Sequence, residues 1–399
     1  MNELRVKTHA PNGNASKSRK VLTDKPNSRQ PNSLKTTNMP TTHTRFFRFA
    51  APLLCAALVL FAAWQNRRLG DARRAGLPEA PAYAAQVPPV LNFLTVGLGG
   101  FRGVAAEMLW SRADRLQEEG RYFELVQLSQ WITWLDPHAT EAWTYNAWNM
   151  AYNISAMMRR PADRLRWVSH GIALLRDRGL PANPNSAKLY RDLAWFYQHK
   201  IGSSDDSAHV AYKLALAEEL APLLQPNGAV SDTSSNRTAL AALRLDADRM
   251  LQLERKFGSL DWRVAASHAV YWASAGLEHA RDPERLASRR AVYQPLIQCV
   301  LAGRFDGELS TGVYHAKPNP EVVRPALQFL EETFRETPTR GVCTAYAFFL
   351  LHAIRQAHEE GNAAQAGTWL RDLNRVGEGV FRPMTLDAVL RGQMPEMLK

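Results

Sequence analysis

The sequence predicts an all-α protein: one N-terminal transmembrane helix followed by an α-solenoid of helical hairpins. Three observations carry this. The run Phe46–Trp64 (FFRFAAPLLCAALVLFAAW) is apolar except for Arg48 and has the length of a membrane-crossing helix. From Phe101 onward, apolar residues recur at spacings of three and four, with breaks at Gly/Pro/Asn clusters every fifteen to twenty-five residues. No convincing run of alternating apolar and polar residues appears, so strands are not expected.

Residues 1–45 are rich in Asn, Ser, Thr, Pro and Lys and nearly lack aromatics, so they cannot bury a core and are predicted to be disordered; Met39 is an alternative start. The formal net charge of +11 is concentrated at this end: residues 1–75 hold 14 Lys/Arg against Glu3, Asp24 and Asp71, and beyond them acids and bases balance. A neutral body has no long-range field to draw in a phosphate backbone, which argues against nucleic acid as a partner. Residues 46–64 are the predicted anchor. Ten basic residues up to and including Arg48 outnumber Arg67, Arg68, Arg73 and Arg74, which places the N-terminus in the cytoplasm and the body outside it, at the inner membrane of a bacterium. Phe61-Ala62-Ala63 is a weak approach to a cleavage site, so an uncleaved anchor is favoured over a signal peptide. Residues 65–100 form a linker, with Leu77–Pro89 (LPEAPAYAAQVPP) a stiff Pro/Ala spacer and Val90–Val104 a Gly-containing apolar stretch.

Residues 101–225 are the first expected helical array. Tyr190-x-x-Leu193-Ala194-x-x-Tyr197 sets a large, a Leu, a small and an aromatic residue on one helix, followed by Ala208, Tyr212 and Ala215 on the next. Trp143-x-x-Asn146-Ala147-x-x-Met150 repeats the opening, and Leu135-Asp136-Pro137 closes the unit before it. A small residue at Ala113, Ala147 or Ala194 lets a paired helix approach closely while an aromatic fills the gap beside it. On these residues, 106 to about 222 resemble tetratricopeptide repeats in about three degenerate copies. The layout also resembles bacterial membrane proteins with one N-terminal anchor and a repeat-like body. Residues 226–237 (PNGAVSDTSSNR) read as a loop. Residues 238–399 are the second array, with helices expected at Thr238–Phe257, Trp262–His279, Pro283–Ala302, Pro320–Glu336, Pro338–Glu360 and Ala363–Val376.

No catalytic motif emerges. Gly97-Leu98-Gly99-Gly100-Phe101-Arg102-Gly103 puts Arg102 where a dinucleotide loop needs glycine and lacks a P-loop Lys, so it reads as a hinge. The histidines form neither HExxH nor HxxxH, no Gly-x-Ser-x-Gly elbow is present, and Cys55, Cys299 and Cys343 have no metal-binding spacing. No metal or cofactor is expected, and the cysteines read as buried small hydrophobes.

One constellation stands out: Tyr145-Asn146-x-x-Asn149-x-x-Tyr152-Asn153 aligns three amides along one helical face with tyrosines beside them. The tetratricopeptide resemblance implies that the first helix of each pair lines a groove, where Asn146, Asn149 and Asn153 would hydrogen-bond an extended peptide. Equally, these amides would bond turns or a neighbouring helix. Trp143 and Trp148 read as packing residues. Arg191, His199 and Lys200, on the next first helix, would meet a peptide carboxylate. The expected function is therefore an interaction scaffold for membrane or envelope proteins, without catalysis. An envelope enzyme with an all-helical site, or a small-ligand-binding module, is the alternative.

Overall fold

Short polar side chains set where many of the helices begin. In the computed structural model, which describes residues 57–61, 63–65, 67–68 and 102–395, Ser186, Thr233, Asp246, Thr339, Asn362 and Thr385 each accept a hydrogen bond from a backbone N–H in the first turn that follows. Pro161 opens another helix at its first position, where a missing N–H costs nothing.

The protein is mostly helical. The chain falls into two units, residues 1–76 and 77–399. In the first, residues 57–61, 63–65 and 67–68 are helical. Leu58, Val59, Leu60, Phe61 and Trp64 are each more than half exposed, and the Arg68 guanidinium lies 5.0 Å from the Trp64 ring centre. The expected span Phe46–Trp64 otherwise lies outside the described residues, as do the tail and most of the linker. Among the described residues no helix is long and apolar enough to cross a membrane.

The second unit begins with α1 (Arg102–Glu118) and α2 (Tyr122–Leu135), joined through Gly120 at φ +69°. Next come α3 (Thr140–Trp148), continued by a π-helical segment (Asn149–Ile154) and α4 (Ser155–Met157); α5 (Pro161–Leu174), continued by a π segment (Leu175–Gly179) and α6 (Leu180–Ala182); and α7 (Ala187–Trp195), continued by a π segment (Phe196–Ile201). After α8 (His209–Leu220), α9 (Ser234–Ala242) and α10 (Ala247–Phe257) come α11 (Ala265–His279) and α12 (Arg285–Ala302). A two-stranded antiparallel ribbon, β1 (Arg304–Phe305) with β2 (Ala316–Lys317), then leads to α13 (Val323–Glu336), α14 (Arg340–Glu359), α15 (Ala363–Val376) and α16 (Leu386–Leu390).

Each helix packs on its predecessor through α1, α2, α3 and α5. The helix α7 packs on α3 and, skipping the intervening insertion, on α11; the run α11, α12, α13, α14, α15 then continues neighbour to neighbour. Small residues make these approaches close. A Cβ on Gly171 of α5 would stand 2.7 Å from the Ala147 carbonyl oxygen of α3, and one on Gly276 of α11 would stand 2.6 Å from Tyr190 Cβ of α7. One continuous core runs from Trp143 to Val389, so the two expected arrays share an interior; a smaller core around Leu116, Leu125 and Ile132 holds α1 to α2.

The expected helix Thr238–Phe257 is two helices. Arg244 turns at φ +62° between them, and Asp246 caps the second, so local turn chemistry overrides the apolar period. The insertion is fastened by Asp261, which is 0% exposed: its carboxylate accepts from the Arg263 N–H, the Arg263 guanidinium and the Phe305 N–H at 2.8–3.0 Å. Gly228 is required beside it, at φ +84° and with space for no Cβ against that carboxylate. Cys299 and Cys343 are free and buried, and burial pushes the Cys299 thiol up to about 12.

Candidate functional site

The helices α7, α12 and α14 come together along one side of the molecule and enclose a groove of about 590 Å³. Their contributions follow helical periodicity: Trp195, Gln198 and His199 from the end of α7 and its π segment; Arg290, Gln294, Ile297 and Gln298 from α12; Gly341, Thr344, Ala345 and Phe348 from α14. Gly341 is open on this side, with only the Arg290 guanidinium within reach of a Cβ at 3.4 Å. A second depression continues the groove along α7 and α12 past Arg191, Asp192 and Ala291. Pro295, inside α12, has no N–H to give the Ala291 carbonyl, so that acceptor is left without its usual helical donor.

Two large apolar side chains in the groove are exposed, Trp195 at 39% and Phe348 at 48%. Trp195 is held by stacking on His199, with ring centres 4.6 Å apart and planes 13° from parallel. The His199 Nδ1 lies 3.2 Å from the Tyr152 hydroxyl, and its Nε2 lies 3.4 Å from the Asp205 carboxylate. Tyr152 in turn stacks on Trp148 at 3.9 Å. An aromatic run therefore links the π segments that follow α3 and α7, a place where irregular helix turns commonly aim side chains. Burial raises the Tyr152 phenol above its ordinary value, so the hydroxyl stays protonated.

The residues expected from sequence separate into three environments. Asn146 and Asn149 are each 1% exposed. Asn149 donates to the Tyr122 carbonyl of α2 at 3.4 Å and accepts from half-buried Asn153 at 2.8 Å, whereas among the described residues neither polar atom of the Asn146 amide has a hydrogen-bond partner. Tyr145 hydrogen-bonds Gln117 of α1, stands edge-on to Trp110, and is pushed up to about 12 by burial and by nearby Asp114. Tyr145 of α3 is thus turned toward α1, and Asn149 of the π segment toward α2.

Lys200 and Arg191 hold the protein together. Buried Lys200 donates to Asp206 at 2.6 Å and lies 4.9 Å from the Tyr152 ring centre; Asp206 also accepts from Arg164, the Tyr212 hydroxyl and the Ala208 N–H. Burial alone would raise the Asp206 carboxyl, but the bonds from Lys200 and Ala208 and the charges of Lys200 and Arg164 outweigh it and hold the group below its ordinary value. Arg191 ties α7 to the start of α12 through Glu284 at 3.2 Å and Ser288 at 3.1 Å. Of the residues expected from sequence, His199 lines the groove and Arg191 the depression that continues it, and Tyr152 reaches toward the groove through His199. Trp143 is core, its Nε1 donating to the Pro137 carbonyl, while Trp148 is 40% exposed.

Arg290, Gln294, Gln298 and Phe348 were not singled out by sequence reasoning. The signal was present as Arg290-x-x-x-Gln294-x-x-x-Gln298, a polar ladder at one-turn spacing along α12. Among the described residues, no group of three or more His, Cys, Asp or Glu side chains converges as a metal site would require. A comparison with known protein families matches none, and none of the curated proteins matches the chain.

Proposed function

We propose that this protein is a membrane-anchored scaffold. Its helical pairs stack as a tetratricopeptide-like α-solenoid, and its groove holds a partner protein of an envelope or transport complex. The observation that carries the reading is the groove itself, a cleft across three helices that combines exposed aromatic rings with amides and one guanidinium. That mixture suits an extended polypeptide, whose side chains need apolar contact and whose backbone needs donors and acceptors. The close Gly171–Ala147 and Gly276–Tyr190 approaches support hairpin stacking. The exposed apolar residues Leu58 to Phe61 and Trp64 support insertion of the anchor Phe46–Trp64 into the inner membrane, with the charge bias putting the body outside the cytoplasm.

Site-specific photocrosslinking in intact cells tests this. Benzoylphenylalanine in place of Phe348 is expected to give a discrete adduct, and the same group in place of Val210, exposed on α8 and not among the groove-lining residues, is expected to give none. Adducts from position 210 alone, or from neither, contradict the groove. A reporter fused after Lys399 that works only outside the cytoplasm tests topology; activity of a cytoplasm-only reporter reverses it. The cleft volume also suits a small aromatic ligand, the second reading. That reading predicts a thermal shift with such compounds that Trp195→Ala removes.

A further inference from the structure

We propose that the segment held in the groove is extended and acidic, with a carboxylate paired to Arg290 and a large apolar side chain set between Trp195 and Phe348; this rests on the groove reading above. Charge carries the argument. The part of the groove that Arg290 shares with Trp195 and Phe348 is lined by no Asp or Glu, Asp192 in the adjoining depression is held by Lys188 at 2.9 Å, and Arg290 itself is exposed and has no ion pair among the described residues. Its Nε donates to the Tyr293 hydroxyl at 3.3 Å, which orients the planar fork and leaves both terminal nitrogens available. Charged groups on α7 are already matched: Arg191 by Glu284, Lys188 by Asp192 at 2.9 Å, and Lys200 by Asp206. An oriented guanidinium without an ion-pair partner is complementary to a carboxylate, which it can meet with two parallel hydrogen bonds.

The spacing on α12 supports an extended chain. Arg290, Gln294 and Gln298 are one helical step of four residues apart, about 6 Å each. Alternate residues of an extended strand repeat at about 6.7 Å. Neither Gln294, Gln298 nor Gln198 across the groove makes a side-chain hydrogen bond within the protein among the described residues. Each amide can therefore donate to and accept from a backbone laid along the helix. The ladder of about 12 Å spans roughly four residues of such a chain. It sets the acidic side chain at the Arg290 end, with the exposed Trp195 and Phe348 rings available to an apolar neighbour.

The test is selection of random dodecapeptides displayed on phage against the full-length protein in lipid nanodiscs, run beside Arg290→Glu, Trp195→Ala and Phe348→Ala, with unfolding midpoints confirming that each variant is folded. The wild type is expected to enrich peptides with Asp or Glu next to a large apolar residue. Those peptides should bind Arg290→Glu at least about tenfold more weakly, and the Trp195→Ala or Phe348→Ala protein should lose them as well. Peptides with no acidic preference, or with a basic one, that still depend on Trp195 would overturn the carboxylate pairing and leave the groove standing. No enrichment over empty nanodiscs, or binding that survives both aromatic substitutions, would overturn the pairing and the groove together.

Discussion

Replacing Asn146 with Leu should make the protein more stable. The side chain is 1% exposed, and neither Nδ2 nor Oδ1 has a hydrogen-bond partner among the described residues. Burying an amide without its bonds costs about 1–3 kcal/mol on scales derived from protein mutations. Leucine has nearly the same branched shape, so the exchange removes that cost without opening a cavity, and a gain of about 1–3 kcal/mol is expected. Urea unfolding followed by circular dichroism reads this as a higher midpoint at unchanged slope. Asn149→Leu is the matched contrast, because its amide bonds the Tyr122 carbonyl and Asn153; there a loss of about 1 kcal/mol is expected. A destabilised Asn146→Leu would contradict the reasoning, since it would mean that the amide is satisfied where it lies.

Asp261→Ala leaves the Phe305 N–H and the 16%-exposed Arg263 guanidinium without their acceptor, and should cost about 3–5 kcal/mol by urea unfolding; a cost under 1 kcal/mol would remove Asp261 as the fastening of the insertion. His268 is held at about 4 by burial, which outweighs its bond to the Trp262 carbonyl and is joined by the Arg176 charge. Between pH 6.5 and 4 the unfolded chain therefore binds a proton that the folded one does not, so stability is full above pH 6.5 and falls by about 3 kcal/mol as pH drops to 4. In His268→Phe the slope over that window should shrink by up to one proton, and an unchanged slope would contradict the assignment. Gly171→Ala would normally help a helix, but here its methyl meets the Ala147 carbonyl at 2.7 Å; a loss of about 1–3 kcal/mol in thermal unfolding is expected, and a gain would mean that α3 and α5 can separate freely.

Helix periodicity was readable where capping and apolar spacing agreed. Ala363–Val376 was anticipated to the residue, and α11, α12 and α14 to within about three residues. The expected helix Thr238–Phe257 failed because a left-handed residue and an Asp cap interrupt a continuous apolar period. The π segments left no trace, since an i→i+5 turn changes no residue type, and the two-residue strands are too short to alternate. At the site, the amides of α3 and its π segment looked like a binding face because three polar residues share a stripe. A stripe fixes which residues point together but not what they meet, and here Asn149 meets α2. The groove residues come from α7, α12 and α14, more than 150 positions apart from end to end, and only the packing of those helices gathers them.

The most direct measurement is affinity purification of the full-length protein from crosslinked membranes, wild type beside a Trp195→Ala/Phe348→Ala double variant of equal melting temperature. Recovery of a partner with the wild type, and a loss of at least about tenfold with the variant, is the result expected of a groove that holds the partner. The same partner recovered equally with both proteins would contradict it.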